Sequence, residues 1–305
     1  MSMSAYEEIN KHIKDEKLRR VFAGNSGLFA GDRLTTSMYE YGMITNSNID
    51  GAYAFVDGSQ HLADLLSERI KTNGGDVMLK SKVKNIFLVN DTAEYVELES
   101  GERFSAKWII SSLHPAVTFS LLKNNTVYKK AFFTRMRSLP NTYGVFTTYL
   151  LLKPNKIKYV NQNHYLFNNP DVWATEGDYK GCNISSTLLC MQPNSENEYT
   201  KVITLLTPMR HSEYERWNDT SLRNRTPDYE EFKQHYSETV IDFVSQFYPD
   251  LRNNVEKIYT ATPLTYRDYT STPQGCAYGI VKDCRKPLVT LMPAKTRISN
   301  LLHAS

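Results

Sequence analysis

Residues 51–115 read GAYAFVDGSQHLADLLSERIKTNGGDVMLKSKVKNIFLVNDTAEYVELESGERFSAKWIISSLHP, and their reading decides the fold class. Asp57, Gly58 and Ser59 make a polar turn just ahead of an apolar-periodic run, a helix-start signal. Leu62, Leu65, Leu66 and Ile70 recur at helical spacing, which puts them on one face. Gly74 and Gly75 stop that helix, because a C-terminal cap often needs a positive φ that glycine adopts without a Cβ clash. The pattern predicts a short strand from Val77 to Leu79 and a second from Val83 to Val89. Asn90-Asp91-Thr92 turns the chain into Tyr95-Val96-Glu97-Leu98, and Ser100-Gly101-Glu102 turns it again. Trp108-Ile109-Ile110-Ser111 then reads as a buried strand. Helix, glycine stop, strand, hairpin and buried strand predict an α/β fold.

The totals narrow the field. A chain of 305 residues makes one large or two ordinary domains. Hydrophobic residues at 41% and charged residues at 23% are ordinary for a globular protein with a sizeable core. A formal charge of +3, without a dense basic run, gives no reason to expect a nucleic-acid partner. The cysteines at 182, 190, 276 and 284 form no Cys-x-x-Cys, so neither a zinc site nor a redox pair is indicated and free thiols are expected. The first twenty residues are polar and charged, not signal-like, and no run of about 18 apolar residues exists for a spanning helix. A cytoplasmic location follows as the expectation.

Around the deciding stretch, residues 6–22 predict one amphipathic helix with Ile9, Ile13, Leu18, Val21 and Phe22 near one face. Gly24, Gly27 and Gly31 do not match a phosphate loop, because the spacing is wrong and a helix precedes them where a strand is required. Residues 117–122 and 128–136 read as short helices, residues 143–152 as a strand buried on both faces, and residues 154–200 as loop-rich. Residues 202–206 read as a further strand. Thr226-Pro227-Asp228 starts the clearest helix, with a buried stripe of Tyr229, Phe232, Tyr236, Val240, Phe243 and Phe247. Residues 258–280, IYTATPLTYRDYTSTPQGCAYGI, carry two Thr-Pro steps and late glycines that argue against a long regular element. No Ser/His/Asp triad, metal-ligand cluster or paired carboxylate set is legible. His114, His164 and His211 read as isolated core or surface histidines.

The glycines at 74 and 75, Val83, the hairpin and the strand ending Ser-x-His-Pro resemble one segment of the FAD-dependent amine-oxidase-like superfamily, in its phytoene desaturase, carotenoid isomerase and retinol saturase branch. Thr262-Pro263-x-Thr265 followed by Gly275-x-x-Tyr278-Gly279 resembles a second segment of that branch, and residues 295–301 resemble the lead-in to its last flavin-contacting strand. The likeness departs at the turn before the helix, where Asp57 stands in place of the first glycine. The resemblance implies an α/β (mixed α+β) architecture. A partial Rossmann-like FAD domain would comprise residues 51–115 with 258–305, and a mixed-sheet substrate domain residues 1–50 with 116–257. It implies FAD held through Val83, whose backbone lies against adenine, and through Ser111, Ser112 and Leu113. It implies an apolar polyene contacted by Thr265, Tyr269 and Tyr278. Arg267 and Tyr266 are the candidates for a polar group beside the flavin, and Asp268 reads as a salt-bridge partner. A substrate of this kind implies peripheral contact with a membrane; no metal is implied.

An FAD enzyme of this type needs a strand, a glycine-rich turn and a helix N-terminus for the pyrophosphate. No G-x-G-x-x-G occurs in the 305 residues, which argues against FAD binding by these residues alone. The expectation is a truncated chain covering the middle of the family's length. Two other readings stand beside an FAD-dependent carotenoid or retinoid oxidoreductase. One is a non-catalytic remnant that binds an apolar ligand or a partner chain, and the other is a flavin amine oxidase.

Overall fold

The computed structural model describes residues 2–168, 170–173 and 184–304; Cys182, read above as a free thiol, lies outside them. The chain opens with two helices, α1 (Ala5–His12) and α2 (Glu16–Ala23), where the sequence predicts one. The break has a local cause: the Asp15 carboxylate caps α2 by accepting the Leu18 N–H at 2.8 Å. The turn it makes leaves Leu18, Val21 and Phe22 exposed while Ile9 stays buried. A 3₁₀ turn at Ser26–Phe29 and α3 (Met38–Ile49) follow. With Phe29, Tyr41 and Trp173 these helices enclose one small apolar cluster.

Helix α4 (Gln60–Thr72) forms as the periodicity predicts, yet it buries none of its residues. Leu62, Leu65, Leu66 and Ile70 all face outward. No strand forms at Val77–Leu79, because no neighbouring strand lies there to bond it. Strands β1 (Val83–Val89) and β2 (Thr92–Leu98) make the expected hairpin, and β3 (Arg103–Phe104) extends it.

Strand β4 (Ile109–Ser111) follows, but it is not the fully buried strand that the sequence predicts. Trp108 and Ile110, alternate residues on one face, are 52% and 65% exposed because nothing among the described residues covers that face, while Ile109 packs on the core behind it. Helix α5 (Pro115–Ser120), the short strand β5 (Leu122–Lys123) and α6 (Lys130–Ser138) then return the chain to the hairpin, with β5 parallel to β1. Ile86, Leu88, Phe119, Leu122, Tyr128 and Leu301 form the shared core of this region.

Strand β6 (Gly144–Leu152) is an interior strand of a second, wholly antiparallel sheet. Residues 154–200, read as loop-rich, contain two of its strands, β7 (His164–Phe167) and β8 (Ser186–Met191). They are short, and the polar residues between them mask their alternation. Strand β9 (Val202–Met209), the turn α7 (His211–Tyr214), the long α8 (Pro227–Ser245), the turn α9 (Leu251–Asn254) and β10 (Val255–Ala261) complete the unit, in the strand order β10-β6-β9-β8-β7. Helix α8 covers one face. Tyr236 meets Phe146 with ring centroids 4.6 Å apart, and Val240, Ile241 and Val244 pack among Leu150, Leu205 and Met209. Phe247, assigned to the buried stripe, lies past the helix end and is exposed.

Residues 258–280 are more regular than the Thr-Pro steps suggest. They supply most of β10 and all of α10 (Pro263–Thr270), because Thr262 and Thr265 form a reciprocal capping box that uses Pro263 at the first helical position. A short turn, α11 (Pro287–Thr290), precedes the last strand, β11 (Leu301–His303). β11 pairs with β4 in parallel, so the two form a two-stranded sheet with one edge of β4 open among the described residues. The architecture is mixed α/β, as expected.

Burial separates two leucines that look alike in sequence. Leu205→Ala should destabilise the chain by about 2–5 kcal/mol, since a fully buried side chain leaves a cavity. Leu66→Ser on α4 should change stability by no more than about 0.5 kcal/mol. Urea melts of the two variants test the contrast.

Candidate functional site

The face of the antiparallel sheet opposite α8 carries the site. Because side chains alternate along a strand, Phe146 and Leu150 of β6 point to α8 while Tyr143 and Val145 point the other way. Tyr165 and Phe167 of β7, Leu188 of β8 and Leu206 of β9 join them as the floor of an apolar cleft, with Gly27 and Gly31 on its opposite wall. Its volume is about 60 Å³. Two phenols converge on one acceptor here: Tyr143 and Tyr278 both donate to the Gly27 carbonyl, at 3.3 and 3.1 Å. Burial pushes the pKa of Tyr143 far above the ordinary phenol value, and the neighbouring Tyr278 adds to it. Burial also raises Tyr165, Tyr278 and the Cys190 thiol. The phenols of the cleft are therefore held neutral at physiological pH, and among the described residues no carboxylate, histidine or cation lines it.

The Gly-x-x-Tyr-Gly segment is placed by its pairing with the chain leading into β6. Ala277 N–H donates to the Tyr143 carbonyl at 2.9 Å, and Thr142 N–H to the Gly279 carbonyl at 2.9 Å. Two glycines permit this approach. A Cβ on Gly275 would sit 1.8 Å from the Pro263 carbonyl oxygen, and φ there is +63°. A Cβ on Gly144 would meet the Pro263 ring at 2.5 Å. Thus the Thr-Pro-x-Thr and Gly-x-x-Tyr-Gly segments, far apart in their pattern, touch at Pro263.

The end of β4 reaches the same place. His114, buried, accepts the Ala116 N–H at its Nδ1 (3.2 Å), so its proton lies on Nε2, which donates to Asn141 Oδ1 at 3.0 Å. Asn141 Nδ2 in turn donates to Gln274 Oε1 at 3.4 Å. Nearby, His303 of β11 donates from Nε2 to the Leu113 carbonyl at 2.8 Å. The histidine that reads as an isolated core residue is satisfied as such, and it also joins β4 to the Tyr278 segment. Burial lowers its pKa, the Asn141 bond opposes this, and His303 lowers it further.

Of the residues expected at the cofactor, Ser111 is buried with its hydroxyl 2.7 Å from that of Thr118, Leu113 is tied to His303, and Ser112 is exposed at the strand end. Val83 starts β1 and packs on the core beneath it. Of the residues expected at the substrate, Tyr278 lines the cleft. Thr265 spends its hydroxyl on the Thr262 N–H, and Tyr269 is 71% exposed and away from the cleft. Tyr266 lies on the cleft face of β6, its hydroxyl 2.6 Å from that of Thr147. Arg267 reaches the carbonyls of Asn218 and Thr220 and the Asp268 carboxylate, and Arg225 also pairs with Asp268. These contacts hold the last turn of α10 against residues 218–220.

Sequence reasoning missed Tyr165, Phe167 and Leu188, which sit on the two strands read as loop; the alternation in His164–Phe167 and Ser186–Met191 was the available signal. The departure at Asp57 is also explained. Asp57 has φ +58°, the left-handed region that glycine favours, and its carboxylate accepts the Ser195 N–H at 3.3 Å. Aspartate tolerates this region better than most residues, so the turn keeps its course without the glycine.

No family model matches the chain. It is 21% identical to an all-trans-retinol 13,14-reductase of Danio rerio over 98% of its own length and 53% of the relative's. It is 24% identical to a neurosporene-forming phytoene desaturase of Cereibacter sphaeroides over 91% of its length and 54% of that protein. The resemblance read from the sequence is borne out. The chain spans about half the length of the curated relatives it matches. In fold it is similar to an oxidoreductase of Methanosarcina mazei, with TM-score 0.59 and 17% identity over 99% of this chain and 62% of that one. It is also similar to an engineered putrescine oxidase, with TM-score 0.55 and 12% identity over 99% and 62%.

Two variants test the junction. Gly275→Ala should cost about 3 kcal/mol, combining overpacking with a left-handed backbone, and chemical denaturation reads it. His114 has a folded pKa below its ordinary value, so its contribution to stability is present above about pH 6.5 and is lost as pH falls through the folded pKa. Urea midpoints should therefore drop on acidification below about pH 6.5, and His114→Gln should flatten that dependence.

Proposed function

We propose that this chain forms the substrate-binding body and part of the cofactor-binding region of an FAD-dependent oxidoreductase acting on an apolar polyene of the retinoid or carotenoid kind. The observation that carries the reading is the match of nearly the whole chain to a retinol reductase and a phytoene desaturase. The cleft supports it, since neutral phenols and aliphatic side chains suit a hydrocarbon and leave the redox step to a cofactor. When bound, FAD supplies hydride transfer to or from the conjugated chain. Val83 and the Ser111–Leu113 strand end would hold its adenine side, with residues 119–138 belonging to this region because they share its core. Tyr143, Tyr165, Leu188 and Leu206 would line the polyene and exclude water, and Tyr266 and Tyr278 would stand on the same sheet face. Small-molecule sites measure roughly 300–1,000 Å³, so the reading requires the wall at residues 26–31 to move away from the sheet.

Under this reading the described residues would supply the adenine side of such a site, and no glycine-rich helix N-terminus for a pyrophosphate is found among them. The open edge of β4, the exposed Trp108 and Ile110, and the bare apolar stripe of α4 are the places where a strand–turn–helix unit would fit. The same stripe favours a second reading, a non-catalytic fragment that binds an apolar ligand or a partner chain.

The test is to fuse the glycine-rich segment of the phytoene desaturase relative ahead of this chain and pass the product, mixed with FAD, through gel filtration. The fused chain should retain a yellow flavin that retinol or phytoene alters, and the unfused chain should retain far less. A folded fusion that holds no flavin would sink the reading and leave the fragment reading in its place.

A further inference from the structure

The wall of the sheet cleft stands between two spaces. Gly27 and Gly31 face the cleft, while Leu28, Phe29 and Ala30 face a second cavity of about 150 Å³. Ile44 of α3, Thr142 and Ile280 close the far side of that cavity, and Tyr278 borders both spaces. The wall is thus one turn of chain with a cavity on the side away from the sheet. A displacement into that cavity widens the cleft without moving the sheet, whose strands are fixed by their ladders.

Hydrogen bonds tie the wall to the sheet side at one atom. Among the described residues, the bonds that residues 26–31 make with the lead into β6 and with the Tyr278 segment are those from the Tyr143 and Tyr278 phenols, and both end on the Gly27 carbonyl. One carbonyl oxygen has two lone pairs and can serve both donors. The other ties run within the turn or to its neighbours: Gly31 N–H donates to the Ser26 carbonyl at 2.8 Å, Ser26 Oγ to the Val172 carbonyl at 3.4 Å, and Asn25 Nδ2 to Thr45 Oγ1 of α3 at 3.4 Å. The closed position carries local costs. Ala30 holds φ +51°, in the left-handed region, and the Asn25 Oδ1 is buried with no hydrogen-bond partner among the described residues. Two phenol bonds set against such costs make a latch of small bias, as a wall that opens requires.

We propose that residues 25–31 form a gate over the sheet cleft, latched by Tyr143 and Tyr278 on the Gly27 carbonyl and opening into the cavity beside Ile44. As the entry control for a polyene the gate rests on the function proposed above; as a movement of the wall it does not. Only the open form admits a ligand, so the latch lowers both the entry rate and the apparent affinity by the fraction of chains that are open. Neutral hydrogen bonds are individually modest, and removing one shifts such a gate by about fivefold.

The first readout needs no ligand. It is the rate at which N-ethylmaleimide labels the thiol introduced by Leu188→Cys on the cleft floor, followed by mass spectrometry of the digested chain. Adding Tyr143→Phe or Tyr278→Phe should raise that rate about fivefold, and the two together should raise it further. Ile44→Phe, which fills the cavity behind the wall, should lower it. Tyr128→Phe removes a buried phenol that accepts the Arg297 N–H in the other core, and it should leave the rate unchanged. Thermal melts check that each variant stays folded. The second readout is stopped-flow binding of all-trans-retinol, which should associate faster in the same phenylalanine variants at 143 and 278. The gate is overturned if those two variants label as the parent does, if Tyr128→Phe accelerates labelling as much as they do, or if a folded Ile44→Phe chain labels no more slowly. Labelling that responds as expected without any retinol binding upholds the gate and removes the polyene reading; retinol binding with unresponsive labelling does the reverse.

Discussion

The contact of two bare α-carbons with Pro263 is the constraint on which the site depends. Gly144 begins β6, an interior strand of the antiparallel sheet, Gly275 turns the chain into the Tyr278 segment, and both lie closer to Pro263 than any Cβ would allow. Pro263 is itself fixed by the capping box at the head of α10, and Thr262 beneath it shares a 2.7 Å hydrogen bond with Tyr229 of α8. A strand, two helices and a loop are thereby locked at one point. From there His114 and Asn141 carry the connection to the β4–β11 pair. The two regions that the sequence suggests as separate halves are joined by short-range packing of small residues, not by charge.

Electrostatics takes the opposite course in different parts of the molecule. On the sheet cleft, burial holds the phenols in their neutral forms, so the surface behaves as hydrocarbon with a few directed hydroxyls. Charge is kept to structural uses: Asp268 gathers Arg225 and Arg267 into a buried brace that fixes α10. A buried charged brace of this sort is costly to break, because one lost partner leaves an uncompensated charge. Its value lies in setting where α10 stands, and with it Tyr266.

Much of the fold was legible where local signals and tertiary context agreed. Val83–Val89 and the hairpin after it carry β-branched residues bounded by Asn-Asp and Ser-Gly turns, and they formed as read. The long helix announced itself through Thr226-Pro227-Asp228. The failures share one physical origin, which is that a strand is completed by its neighbours. Val77–Leu79 has the composition of a strand and no partner. β7 and β8 have modest composition and good partners. Trp108 and Ile110 look like core residues but share a face of the β4 segment that nothing among the described residues covers. The single helix read over residues 6–22 failed for a local reason, since Asp15 can act as a cap as readily as it can sit mid-helix. Within the site, Tyr278 was found from its motif. Tyr143 and Tyr165 were not singled out, because only the pairing of β6 through β9 with β8 and β7 shows that they face the same space.

The parallel pairing of β4 with β11 has a kinetic consequence. Ile109 and Leu301 meet only after nearly all of the antiparallel sheet has been made between them, and contacts of such long sequence separation repay their loop-closure entropy late. The antiparallel unit, whose pairings all lie within residues 144–261, can fold while that pair is still apart. The β4 edge and the histidine bridge beside it are therefore the last features to be assembled, and the seam between the two cores is the first to open again.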